Sequence, residues 1–243
     1  MVKFEYYGNV TLAFQAHDIE SILKKVFPTC QRFDVIAFSL GARITLATIA
    51  SFPELFRKVA LTGVSLDRTP FGKVVIDSWK EILRDSVANN NSLDNSCLKT
   101  FAWSIIMATY SQSFLGISGT EKIKKWVDHI CLNNNPIGLL RLVEQTHGDS
   151  HSPNEMFAIV EKIKMNQNEE YMKNFDSTTV SIHIGEMDCI SSLEQACALN
   201  SMINKSESII AITKYEGGHA VMNEKAGRIW RKNVLDYLND HII

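Results

Sequence analysis

The chain has 243 residues, 45% of them hydrophobic and 21% charged, the composition of an ordinary globular protein. That length suits one domain, or one core carrying a large insertion. A formal net charge of -2, with the basic residues scattered, gives no global pull toward nucleic acid or an anionic membrane.

The first third alternates strand and helix. Residues 16–27 place Ile19, Ile22, Leu23 and Val26 on one helical face, and Pro28 ends the helix. Residues 33–38 (FDVIAF) form a short apolar run with the length of a buried parallel strand. Ser39, Leu40 and Gly41 follow, and 42–51 reads as a helix of small and apolar residues closed by Pro53. Residues 58–64 (KVALTGV) predict a second buried strand. Strand, helix and strand in this order make a βαβ unit, hence a parallel sheet with a right-handed crossover.

From Val74 to Glu170 only helical periodicity is present, over 74–87, 98–110, 121–131, 138–146 and 154–165. Asn-rich breaks fall at 89–91 and 133–135, and Trp79, Trp103 and Trp126 lie in the block. An apolar helical block set between strands predicts a cap over a site; the plainer alternative is a helical side to the core. Alternation then resumes with a strand over 180–184, a helix over 192–203, a strand over 208–213 and a closing helix over 225–238. The expected division is a core of residues 1–66 and 176–243 and a helical cap of 67–175.

The turn AFSLG, residues 37–41, carries the first chemical signal. A serine between the end of a parallel strand and the start of a helix must turn sharply. The turn lifts its Oγ above the sheet edge and strains its backbone. Residues two before and two after are expected to be small, because strand and helix approach closely; Ala37 and Gly41 meet that need. The helix N-terminus supplies the Leu40 N–H as a donor for an oxyanion.

A serine hydroxyl needs a base to take its proton and an acid to orient that base. Of seven histidines, His219 follows the last predicted strand within GGHA, where two glycines let the backbone bend. His183 lies inside a strand and reads as a core or face residue. His17, His129 and His241 fall on helices and read as solvated. His147, Asp149 and His151 (HGDSH) have neither helical spacing nor a further ligand, so no metal site is expected. Two acids compete. Asp188, in IGEMD after the strand 180–184, stands 31 residues before His219. Asp67 follows the strand 58–64 and is the alternative. Asp188 is favoured, because strand-G-x-x-D is the commoner geometry.

Cys30, Cys97, Cys131, Cys189 and Cys197 are odd in number and show no CxxC spacing, so free thiols in a reducing compartment are expected. No apolar run approaches the length of a membrane span. The N-terminus lacks a basic start followed by an apolar core. The expected location is cytoplasmic.

AFSLG, IGEMD and GGHA, in that order, resemble the α/β-hydrolase superfamily. The resemblance covers nearly the whole chain. FSLGARITLATIASFPELFRKVALTGVS is especially similar to cap-bearing esterases, enol-lactone hydrolases and carbon–carbon bond hydrolases. It implies an α/β fold, a mostly parallel sheet with a helical cap inserted after the strand 58–64, and a triad of Ser39, Asp188 and His219. It also implies a small-molecule acyl substrate and no cofactor. A serine at position 39 separates the chain from the haloalkane dehalogenase branch, which has an aspartate there. The departure is at the front. Only 38 residues precede Ser39, too few for the family's first strands and for the HG-type loop that carries a second oxyanion N–H. Those strands are expected to be missing, through truncation of a full hydrolase, supply by a partner chain, or shortening into a non-catalytic descendant; truncation is preferred. Each missing oxyanion donor typically costs about 10²–10³ in rate. The functional expectation is a serine hydrolase of an ester, thioester or lactone, acting through an acyl-enzyme on Ser39. The alternative is a hydrolase-like protein with a binding or structural role.

Overall fold

Apolar runs too short for helices become strands, and the amphipathic stretches between them become helices. The computed structural model describes residues 10–88, 96–147, 154–168, 178–203 and 212–239. Strands β1 (Phe33–Phe38), β2 (Phe56–Thr62), β3 (Thr179–Gly185) and β4 (Ile212–Tyr215) form one sheet in the order β1-β2-β3-β4, with every pair parallel. Parallel neighbours must be joined by a crossover. Helix α2 (Leu40–Ser51) joins β1 to β2, and α8 (Leu193–Ile203) joins β3 to β4. Between β2 and β3 lie α3 (Pro70–Ala88), α4 (Ser96–Thr109), α5 (Gln112–Asn133), α6 (Pro136–His147) and α7 (Asn154–Asn168). Helix α1 (Leu12–Val26) precedes β1, and α9 (Gly227–Leu238) closes the described chain. All four strands therefore end on one edge of the sheet, and the loops that follow them meet there.

The elements match the periodicity, with ends moved by local chemistry. Helix α1 starts before position 16, because the Thr11 side chain caps it by accepting from the Phe14 N–H at 3.3 Å. Strand β2 ends at Thr62 rather than Val64, because Gly63 turns away with φ of 62°. Helix α5 starts far ahead of position 121. Ser111 caps it, and its kink at Gly119 (φ 73°, ψ 157°) breaks the periodicity there. Of the strand expected over 208–213, residues 208–211 lie outside the described residues.

Two expectations change more. Strand β1 was expected to be buried, yet Ile36 is 50% exposed. Among the described residues β1 pairs with β2 alone, so it is an edge strand. Inner β3, by contrast, is buried from Val180 to Gly185. Helix α7 falls within the span expected for the cap, but its Met156, Val160 and Ile163 join the sheet core with α1, α2 and α8. Helices α3 to α6 instead pack among themselves, around Leu83, Leu98 and Phe101 and around Ala102, Ile106 and Val127. In the sheet core Leu46, Val59, Leu61, Ile182 and Leu199 have no exposed surface. Each such side chain contributes about 1.5–3 kcal/mol.

Candidate active site

Ser39 follows the last residue of β1 and caps α2. Its φ of 51° and ψ of -116° make it the one non-glycine residue with positive φ among those described. A conformation of that kind costs about 1–3 kcal/mol and persists only where the surroundings impose it. Here the Ser39 N–H donates to the Thr62 carbonyl at 2.9 Å, and the Ser39 carbonyl accepts from the N–H groups of Ala42 and Arg43 at 3.0 and 3.2 Å. The turn is thus held by β2 on one side and by the first turn of α2 on the other. Leu40 is the first residue of that helix, so its N–H has no intrahelical acceptor. The close approach expected at Gly41 is absent: a Cβ there would meet nothing within 4 Å among the described residues. Ala37 is buried, at 8% exposure.

The other two members arrive from β3 and β4. After β3 the chain turns, with the Asp188 N–H donating to the Gly185 carbonyl at 3.1 Å. Asp188 Oδ1 accepts from the N–H groups of Ile190 and Ser191, both at 2.9 Å. Asp188 Oδ2 accepts from His219 Nδ1 at 2.7 Å. The Asp188 side chain is fully buried, and His219 is 2% exposed. With Nδ1 protonated toward the carboxylate, Nε2 of the neutral ring is left as an acceptor. Ser39 Oγ lies 2.8 Å from it. The ring is confined by Phe38, whose centroid is 5.0 Å away, and by Gly63, where a Cβ would stand 2.8 Å from His219 Cε1. The loops themselves meet closely. A Cβ on Gly185 would stand 2.1 Å from the Gly218 carbonyl oxygen, so only glycine fits there without movement.

Ser39, Asp188 and His219 thus come together as one hydrogen-bonded chain, and Asp67 does not join them. The Asp67 carboxylate accepts from the Arg68 N–H at 2.8 Å and from Lys73 Nζ at 2.7 Å. His183 is buried between Ser181 Oγ (2.9 Å) and the Tyr215 hydroxyl (2.8 Å), and burial pulls it down to about 4, so it is a neutral core residue at pH 7. His17 packs edge-on against Phe52, and His129 is exposed on α5. His147 is the last residue of α6, whereas His241 and residues 148–151 of the HGDSH stretch lie outside the described residues. The Cys189 thiol donates to the Ala108 carbonyl at 3.2 Å, and burial pushes it up, away from thiolate chemistry. Among the described residues no cluster of three His, Cys, Asp or Glu is placed to hold a metal, and no helix is long and apolar enough to cross a membrane.

Glu224 escaped the sequence reading. Its carboxylate accepts from the N–H groups of Ser111 (2.8 Å) and Gly218 (2.9 Å) and from the Ser111 hydroxyl. The Ala220 N–H adds a bond to the Thr109 carbonyl at 2.8 Å. The loop bearing His219 is therefore tied to the corner between α4 and α5. A lone glutamate five positions past a histidine carries no motif that would announce this.

A cavity of about 280 Å³ opens over the serine and histidine. Trp79, Phe101, Ile105 and Leu139, from α3, α4 and α6, form its apolar wall. Ser39, Leu40 and His219 line the sheet side, together with Arg43 and Arg68.

No protein-family model matches the chain. A stretch of 113 residues, 46% of the chain, is 26% identical to a pyrrolizixenacetamide deacetylase of Xenorhabdus hominickii. The matched stretch spans 38% of that enzyme's length. Among solved structures, an alpha/beta hydrolase enzyme from a Medee basin deep-sea metagenome library superposes with a TM-score of 0.71 at 17% identity, over 96% of this chain and 74% of that one. An acetylester hydrolase from Corynebacterium glutamicum gives 0.70 at 16% identity, over 96% and 68% of the two chains. The parallel sheet, the strained serine between β1 and α2, and these structural neighbours together establish that the chain has the α/β-hydrolase fold.

Proposed function

We propose that the chain is a serine hydrolase of carboxylic esters, with thioesters and lactones as chemically equivalent substrates. Ser39 Oγ attacks the carbonyl carbon while His219 Nε2 takes its proton. His219 then returns that proton to the leaving oxygen, giving the free alcohol and an acyl-enzyme on Ser39. Water, deprotonated by the same nitrogen, attacks the acyl carbon, and His219 passes that proton to Ser39 Oγ as the bond to the serine breaks and the acid leaves. Asp188 holds the imidazole in the tautomer that leaves Nε2 as acceptor and stabilises the imidazolium. The Leu40 N–H donates to the oxyanion from the positive end of α2. Helices α3 to α6 act as the cap, and their apolar wall selects small to medium acyl groups. No cofactor takes part in this chemistry.

The observation that carries the reading is the unbroken run of 2.8 and 2.7 Å contacts from Ser39 through His219 to Asp188. Folding alone requires no such run across three separate loops. The test is covalent labelling with a fluorophosphonate probe. Wild-type protein labels and Ser39→Ala does not; a folded wild-type chain that never labels would refute the proposal. Among the described residues nothing pairs with the outer edge of β1, and Ile36 is half exposed, which favours a second reading, a hydrolase-like binding or structural protein. Stable folding with a fixed partner, and no ester turned over, would select it.

A further inference from the structure

The part of α4 that lines the cavity is a single stripe. Thr109, Ile105 and Phe101 recur every fourth residue, so they share one face of the helix and step in order away from the catalytic corner. One end of that stripe is fixed. The Thr109 carbonyl accepts from the N–H of Ala220, the residue after His219, at 2.8 Å. Phe101, eight residues back, lies about 12 Å along α4 from that bond. Trp79 of α3 meets Phe101 there, edge-on, with ring centroids 6.1 Å apart and planes at 75°. Behind this pair the helices are packed solid. Leu83, one turn further along α3, has no exposed surface, and Leu98, one turn further back along α4, has 2%. Neither lines the cavity. The two rings therefore close the end of the cavity that lies away from His219.

Trp79 is also pinned. Its Nε1–H donates to Ser104 Oγ at 2.9 Å, which ties α3 to α4. Trp79 is buried, so swinging the indole aside would strip an N–H of its acceptor away from water. The aliphatic side chains of the same wall, such as Ile105 and Leu139, carry no polar atom and change rotamer without that loss. The end wall is thus the stiff part of the cavity. The leaving oxygen takes its proton from His219 Nε2, so the alcohol occupies the His219 end and the acyl chain runs the other way. We infer that Trp79, held by Ser104, limits the length of the acyl chain, so that the substrates of Ser39 are esters of short acyl groups with a sharp upper limit. The acyl half of this inference rests on the hydrolase reading; the contact between Trp79 and the end of a bound chain does not.

Two measurements separate the halves. In the first, kcat/KM is followed for the p-nitrophenyl esters of acetate, butyrate, hexanoate, octanoate and decanoate. The expected wild-type profile rises with chain length and then falls by at least about tenfold across one step, the discrimination a methylene without room produces. Trp79→Leu should move that fall to a longer chain. Ser104→Ala, which frees the ring but keeps it, should make the fall shallower. A wild-type profile with no fall by decanoate, or a fall at the same step in Trp79→Leu, overturns the length limit while leaving the hydrolase standing. In the second, the Ser39→Ala protein is titrated with methyl butyrate, hexanoate and octanoate while tryptophan emission is recorded. Of the four tryptophans Trp79 alone lines the cavity, so an emission change that depends on chain length and is lost on adding Trp79→Phe supports the contact even if wild-type protein turns over no ester. No change with any ester, or the same change in the Trp79→Phe protein, refutes it.

Discussion

Replacing Glu224 with alanine should injure the site through a residue that touches none of the reacting atoms. The carboxylate is the acceptor for two backbone N–H groups, of Ser111 and Gly218, and for the Ser111 hydroxyl. Each buried donor left unmet costs about 1–3 kcal/mol. Glu224 is only partly buried, so water relieves part of that, and about 2–4 kcal/mol is expected. For a chain of this size each kcal/mol moves Tm by about 2–4 °C, giving a fall of roughly 5–15 °C. The effect on chemistry should be separate and larger. Gly218 directly precedes His219, and a shift of about 1 Å in a catalytic group costs on the order of a hundredfold. Glu224→Gln keeps an acceptor oxygen for the two N–H groups and should recover most of both losses. The assay is the rate of fluorophosphonate labelling at a temperature where each variant is folded, beside a thermal melt. An alanine variant that melts lower but labels at the wild-type rate would refute the positioning role. Equal labelling losses in the alanine and glutamine variants would show that the two N–H bonds are not what matters.

Asp188→Asn should lower turnover by about 10⁴, because an amide at that position presents its N–H₂ to His219 Nδ1 and favours the wrong tautomer. Asp67→Asn should cost less than about tenfold, since that carboxylate is engaged by Lys73 and the Arg68 N–H; the reverse ranking, measured as kcat on one ester, would overturn the choice of acid. His183 gives a pH test. Burial holds the folded form down to about 4 against an ordinary 6.5, so above pH 6.5 it adds nothing to the pH dependence. Between 6.5 and 4 the unfolded chain takes a proton that the folded chain refuses, and stability falls, by about 2 kcal/mol at pH 5. Urea titrations at pH 7 and pH 5 should show that component in the wild type and not in His183→Gln; identical pH slopes would refute it.

The meeting of Ser39, Asp188 and His219 at one sheet edge was legible because parallel topology is a strong constraint. Once 33–38, 58–64 and 180–184 read as strands joined by crossovers, their C-terminal loops had to share an edge, and Ser39 and Asp188 fell on it. What escaped depends on partners that periodicity does not encode. Helix α7 has the same apolar repeat whether it packs on the cap or on the sheet, and only the positions of α2 and α8 decide. Gly41 looked like a steric necessity, but that inference needs the distance to a neighbour, and no neighbour stands within 4 Å. Strand β1 was read as buried from its composition, whereas burial of a strand depends on what lies beside it. The site is tied by backbone bonds to the strands inside β1. Ser39 is bonded to Thr62 of β2, the Gly63 N–H to the His183 carbonyl of β3, and the Glu186 N–H to the Tyr215 carbonyl of β4. Every one of these backbone ties runs inward from β1, on the side from which Asp188 and His219 reach Ser39 with contacts of 2.7 and 2.8 Å.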